Sequence, residues 1–204
     1  MRVFLRICGI GILLGGWFLT VWACANETIE MSTYIPTPGT GQGRLVDHVY
    51  AEKVGLMTLN APMPIDNGGN GPSSQINYSQ GTEILRATIT PKATTSRLLV
   101  RVTAPFATAG GGTGVLALFR DATGTDNAKA VSSVSPTGDS ANYNQEVSVT
   151  YETDAVTTNA TTFVVKMGSN SGTITIYLNG RKHGTSGEAL LNHRATLTID
   201  EISQ

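Results

Sequence analysis

A chain of 204 residues is long enough for one well-buried domain with an appendage. Its formal charge of -1 gives no general attraction to nucleic acid, and only 14 % of its residues are charged, against the usual quarter or so. Gly, Thr, Ser, Asn and Ala fill the polar and small positions instead, which suits a many-turned β protein, and two cysteines near the start leave the folded body to hold by packing or assembly.

Arg2 and Arg6 precede an apolar run from Ile7 to Ala23, interrupted by Thr20. Positive residues, an apolar core and a small residue before a break describe a secretory signal, and an uncleaved membrane anchor fits the same pattern. The run reads as an apolar helix. Val21-Trp22-Ala23-Cys24 resembles a bacterial lipoprotein processing site, at which Cys24 would carry the lipid. Residues 1–23 are therefore a signal peptide or anchor, and 24–43 an extended linker. Ile35-Pro36-Thr37-Pro38-Gly39 within that linker excludes a helix.

The body runs over 44–204. Short strands are expected at Leu45 to Ala51 and Gly55 to Leu59. The Asn and Gly run from Asn67 to Ser74 reads as a surface turn, without the spaced acids of a calcium loop. Leu85, Ala87 and Ile89 then alternate with polar neighbours, as do Leu98, Val100 and Val102, each the mark of a half-buried strand. Val115 to Phe119 is apolar at every position, so both of its faces need cover. Further strands follow at Ala128 to Ser135, Tyr143 to Thr153, Thr161 to Met167 and Ile174 to Leu178. Asn179-Gly180 is a hairpin signal, but the stretch Arg181 to Glu188 reads as an exposed loop. The last strand buries Ala195, Leu197 and Ile199 and slips phase at Asp200-Glu201-Ile202. Nine or ten strands with Gly-rich turns predict an all-β fold, a jelly-roll-like antiparallel β-sandwich.

Several pieces of this body, in order, resemble a known family. They are Pro64-Ile65-Asp66, Gly81-Thr82-Glu83, Ile89-Thr90-Pro91-Lys92, Ala117-Leu118-Phe119-Arg120-Asp121, Gly168-Ser169-Asn170-Ser171-Gly172-Thr173, Asn179-Gly180 and Ile199-Asp200-Glu201-Ile202. Over about residues 60–204 the chain is similar to small β domains of phage tail-fibre and other virion appendage proteins. The resemblance implies a trimer-forming jelly roll at a fibre end, located in the virion. It implies other virion proteins as partners.

Catalytic patterns are not legible. The histidines His48, His183 and His193 are far apart and give no zinc-ligand spacing, and no serine stands in a nucleophile elbow. His48 reads as a satisfied edge histidine and the other two as solvated. Gly110 to Gly114 precedes a strand and lacks the lysine and helix that hold phosphate. No enzyme and no cofactor is expected.

Binding fits better. Tyr78 and Tyr143 are candidates to face a ligand such as a host glycan. Leu116 and Leu118, opposite Val115, Ala117 and Phe119, are candidates for a subunit contact about a three-fold axis, with Tyr177 beside them. The expected function is a trimeric structural module of a virion appendage, serving host attachment. The alternative is a secreted or outer-membrane lipoprotein with a carbohydrate-binding β-sandwich, held in the bacterial envelope through Cys24 or released outside the cell.

Overall fold

The computed structural model describes residues 43–65, 76–110, 112–135, 144–171, 174–183, 186–190 and 193–204, with the backbone alone at 182–183 and 186–187, and the backbone of 7–14 and 17–23. The chain divides into two compact units, 1–42 and 43–204. In the first, β1 (Ile7–Leu14) and β2 (Trp17–Ala23) pair antiparallel. The apolar helix expected there is thus not what these residues form. Two Ile-, Trp- and Phe-bearing runs parted by Gly15-Gly16 carry a hairpin signal that apolarity alone concealed.

The second unit is all β, and no helix occurs among the described residues. Its strands are β3 (Leu45–Val54), β4 (Met57–Leu59), β5 (Thr82–Ile89), β6 (Arg97–Thr108), β7 (Gly114–Arg120) and β8 (Ala130–Val134). They continue with β9 (Gln145–Asp154), β10 (Thr161–Ser169), β11 (Ile176–Leu178), β12 (Gly180–His183), β13 (Ser186–Ala189) and β14 (Arg194–Ile202). One sheet has the order β5-β10-β7-β8. The other runs β3-β14-β6-β11-β4, with β9 on the remaining edge of β6. Phe106 of β6 pairs with Gln145 on one side and Leu178 on the other, so β11 takes up the edge of β6 beyond the end of β14. Every strand pairing is antiparallel. The two sheets face each other as a sandwich-like, jelly-roll-like body, with β5 beside β3 and β14 and β8 beside β9.

The alternation read from the sequence fills the space between the sheets. Leu85, Ala87, Ile89, Leu98, Val100, Val102, Val147, Val149, Phe163, Val165, Met167, Ala195, Leu197 and Ile199 all belong to this core. Leu116 and Leu118 belong to it as well and are fully buried. The opposite face of β7 has its own cover. Val115, Ala117 and Phe119 pack with Val164 beneath Met63, Ile76, Ile65 and Tyr78. Hydrogen bonds hold that cover down: Met63 N donates to Ser169 O at 2.7 Å, Ile65 N to Asn170 Oδ1 at 2.8 Å, and Tyr78 N to Asp126 O at 2.8 Å. Both sides of β7 are therefore enclosed within one chain.

Two local expectations change. Residues 180–183 and 186–189 form the β12–β13 hairpin, so Asn179-Gly180 opens a strand pair where a loop was expected. The last strand has a bulge against β3 between Glu201 and Ile202. Its inward alternation still continues through Glu201, which is fully buried.

Candidate binding face

The outer side of the β3-β14-β6-β9 layer carries an ordered set of polar side chains. Register places them in rows. His48, Asp200, Leu99 and Glu152 lie across one row, and Tyr50, Thr198, Arg101 and Thr150 across the next. The third row is Glu52, Thr196, Thr103 and Ser148. Period two sends these residues outward because their neighbours Val49, Ala51, Leu197, Ile199, Val100, Val102, Val147 and Val149 face the core.

Three ion-paired groups order this face. Asp200 bridges His48 Nδ1 at 2.6 Å and Arg101 Nη1 at 2.6 Å. His48 thus is the satisfied histidine of an edge strand. Glu52 Oε2 accepts from the Tyr50 hydroxyl at 2.8 Å and from Arg194 Nη1 at 3.0 Å. That hydroxyl bond, with Arg194 behind it, holds the Glu52 carboxyl below its ordinary pKa and pushes the Tyr50 phenol up. The same carboxylate raises Arg194. Arg97 pairs with Glu152, and these two with Thr153 and Asp154 line a shallow open depression. Tyr50 is 49 % exposed.

The expected site residues fall elsewhere. Leu116 and Leu118 have no exposed surface, and Tyr177 is 5 % exposed. The parity argument for a subunit contact at Leu116 and Leu118 does not hold, because the second sheet covers one face of β7 and the 61–65 and 76–80 segments cover the other, and Tyr177 on β11 is likewise buried within its own chain. Tyr78 is half-buried and already engaged: its ring meets Phe119 edge-on at 5.3 Å, and Lys166 Nζ sits 4.5 Å from its centroid. Arg86 Nη2 donates to its hydroxyl at 3.1 Å, and Lys166 donates to its carbonyl. Partial burial lowers the Lys166 pKa. Tyr78 therefore helps to fasten the cover over β7. Tyr143, Cys24 and the 67–74 turn lie outside the described residues, as does the side chain of His183. His193 is half-buried, its Nδ1 enclosed without a partner among the described residues.

Tyr50, Glu52 and Asp200 are the residues the sequence reading missed. Tyr50 and Glu52 carried a signal, since they sit two apart on one strand face, but their partner Arg194 lies 142 positions away from Glu52. Among the described residues no three His, Cys, Asp or Glu side chains gather to hold a metal ion, and no helix is long and apolar enough to cross a membrane. No protein-family model and no curated protein matches the chain.

Proposed function

We propose that the 43–204 body is a structural and attachment module of a virion appendage, working as a homotrimer without catalysis. The observation that carries this reading is the sandwich-like, jelly-roll-like arrangement of the stretch that resembles appendage domains, with β3-β14-β6-β9 turned outward. Ordered polar rows around Tyr50 suit shallow, weak recognition of host glycans, and three linked copies raise avidity without any deeper site. With Leu116 and Leu118 enclosed, the three-fold contact falls to outward-facing residues.

Purified particles provide the test. Peptides of this chain should co-purify with virions, and antibody against the body should mark an external appendage. Sedimentation of the isolated chain should give a multiple of three. The lipoprotein reading, motivated by Val21-Trp22-Ala23-Cys24, predicts instead a diacyl or triacyl mass on Cys24 in an envelope fraction. That mass, with no chain in particles, would overturn the virion reading.

A further inference from the structure

The strand β3 is the end of its sheet, and no strand pairs with its far side among the described residues. At ten residues it is long for an unprotected edge, where a strand of five or six is usual. Its outward hydrogen-bonding groups can be assigned. The Lys53 carbonyl accepts from buried Asn179 Nδ2 at 2.7 Å and so points into the sheet. The His48 amide is taken by the Asp47 side chain at 2.8 Å, outside the ladder. In an antiparallel strand these directions alternate, so His48, Tyr50 and Glu52 turn their N–H and C=O groups to the open side.

We propose that this edge pairs with the same edge of a second copy, antiparallel and centred on Tyr50, so that the sheet continues across a two-fold axis. A two-fold pairing must set outward-turned residues opposite one another, which limits it to registers two residues apart. Centred on Tyr50, the pattern complements itself. Asp47 lies opposite Lys53 of the second copy, His48 opposite Glu52, and Val46 opposite Val54. Each opposition occurs twice by symmetry. In the adjoining registers Asp47 meets Ala51 or Gly55 and Lys53 meets Leu45 or Val49, so the charges go unmatched.

The apolar surface agrees with this register. Val46, Tyr50 and Val54 are 41, 49 and 59 % exposed, three of the six exposed large hydrophobics among the described residues, and the pairing sets Val46 against Val54 of the second copy and Tyr50 against its own counterpart. Lys53 has no ion-pair partner among the described residues of its own chain, whereas Asp47 has Lys92 at 3.3 Å. Charges on an edge strand ordinarily deter association. Here they deter every partner except one whose charges run in the opposite order, and a second copy supplies that order. The contact is isologous and independent of any three-fold one. It would join single bodies into dimers, or trimers to one another.

Cysteine cross-linking reads the register directly. In the full chain, solubilised in mild detergent with Cys8→Ser and Cys24→Ser, Tyr50→Cys places two thiols on the axis. Paired Cα atoms there would stand about 5.5 Å apart, within disulfide range. Oxidation should turn most of this variant into a covalent dimer, while Glu52→Cys in the same background, opposite His48, should stay monomeric on a non-reducing gel. Equal cross-linking of the two, or none by Tyr50→Cys, overturns the proposal.

A charge swap tests the complementarity without cysteines. Lys53→Glu should weaken even-numbered association by about tenfold in sedimentation, and Asp47→Lys combined with Lys53→Glu should restore it. A double variant as weak as the single one, or a parent chain that shows no even-numbered association at high micromolar concentration, overturns it too.

Discussion

Tyr50 and Glu52 form an exposed pair, and their bond has a measurable sign. Removing the hydroxyl in Tyr50→Phe takes away the largest influence that holds the Glu52 carboxyl down. Its titration, followed by carboxyl-carbon NMR, should then move up toward the ordinary glutamate value of about 4.3. A carboxylate whose pKa is lower in the folded state stabilises the fold above the unfolded pKa, and this contribution fades as pH falls through the folded one. The parent should therefore lose a small increment of stability in acid that Tyr50→Phe lacks. Glu201 is the opposite case. Fully buried on β14, it accepts the Lys92 amide at 2.8 Å and the Ala93 amide at 3.4 Å through Oε1. Glu201→Ala would strip the acceptor from those amides, at a cost of about 1–3 kcal/mol in chemical denaturation. A glutamate at an inward position looks like a broken alternation, which is why the last strand read as slipping phase. Only the turn it caps, more than a hundred residues earlier, explains it.

Among the elements, β7 carries the clearest lesson. Its unbroken apolar run correctly indicates cover on both faces, but the covering pieces are Met63, Ile65, Ile76 and Tyr78, from segments with no strong pattern of their own. A strap that lies on a sheet by a few hydrogen bonds leaves little periodicity to read. The premise calls for cover, and the chain itself supplies it. Leu118→Ala should consequently cost about 2–5 kcal/mol in the folding of a single chain, since it opens a cavity in the sandwich core. The strap can be tested separately. A Cβ at Gly168 would stand 2.5 Å from the Ala61 carbonyl oxygen and 2.9 Å from Met63 Cβ. Gly168→Ala should lift the 61–65 segment, and the Met63 amide, bonded to Ser169 O, should exchange with solvent much faster while the β6 and β14 amides stay protected. Unchanged exchange at Met63 would show that the strap accommodates the methyl.

For the molecule as a whole, most strands of the 43–204 body were legible, β12 and β13 apart, and their order was not. Alternation is a local signal, whereas β14 lying between β3 and β6 is a relation across most of the body. Its pairs Leu197 with Ala51 and Ile199 with Val49 join positions nearly 150 residues apart. Such pairings demand loop closure before they return any contact, so folding should be slow, on the order of milliseconds to seconds. They also make the last strand indispensable. Without residues 194–204, β3 loses its ladder, β6 loses the Arg97–Thr103 part of one edge, and the core loses Ala195, Leu197 and Ile199. Burial of Leu197 and of Ile199 stabilises the fold by about 1.5–3 kcal/mol each, and a domain's entire margin is about 5–15 kcal/mol. A chain ending at His193 should therefore show no cooperative unfolding transition and no slowly exchanging amides in β3 or β6. A truncated chain that still unfolds cooperatively would mean that the β5-β10-β7-β8 sheet and its strap stand alone, with β14 merely docked against them.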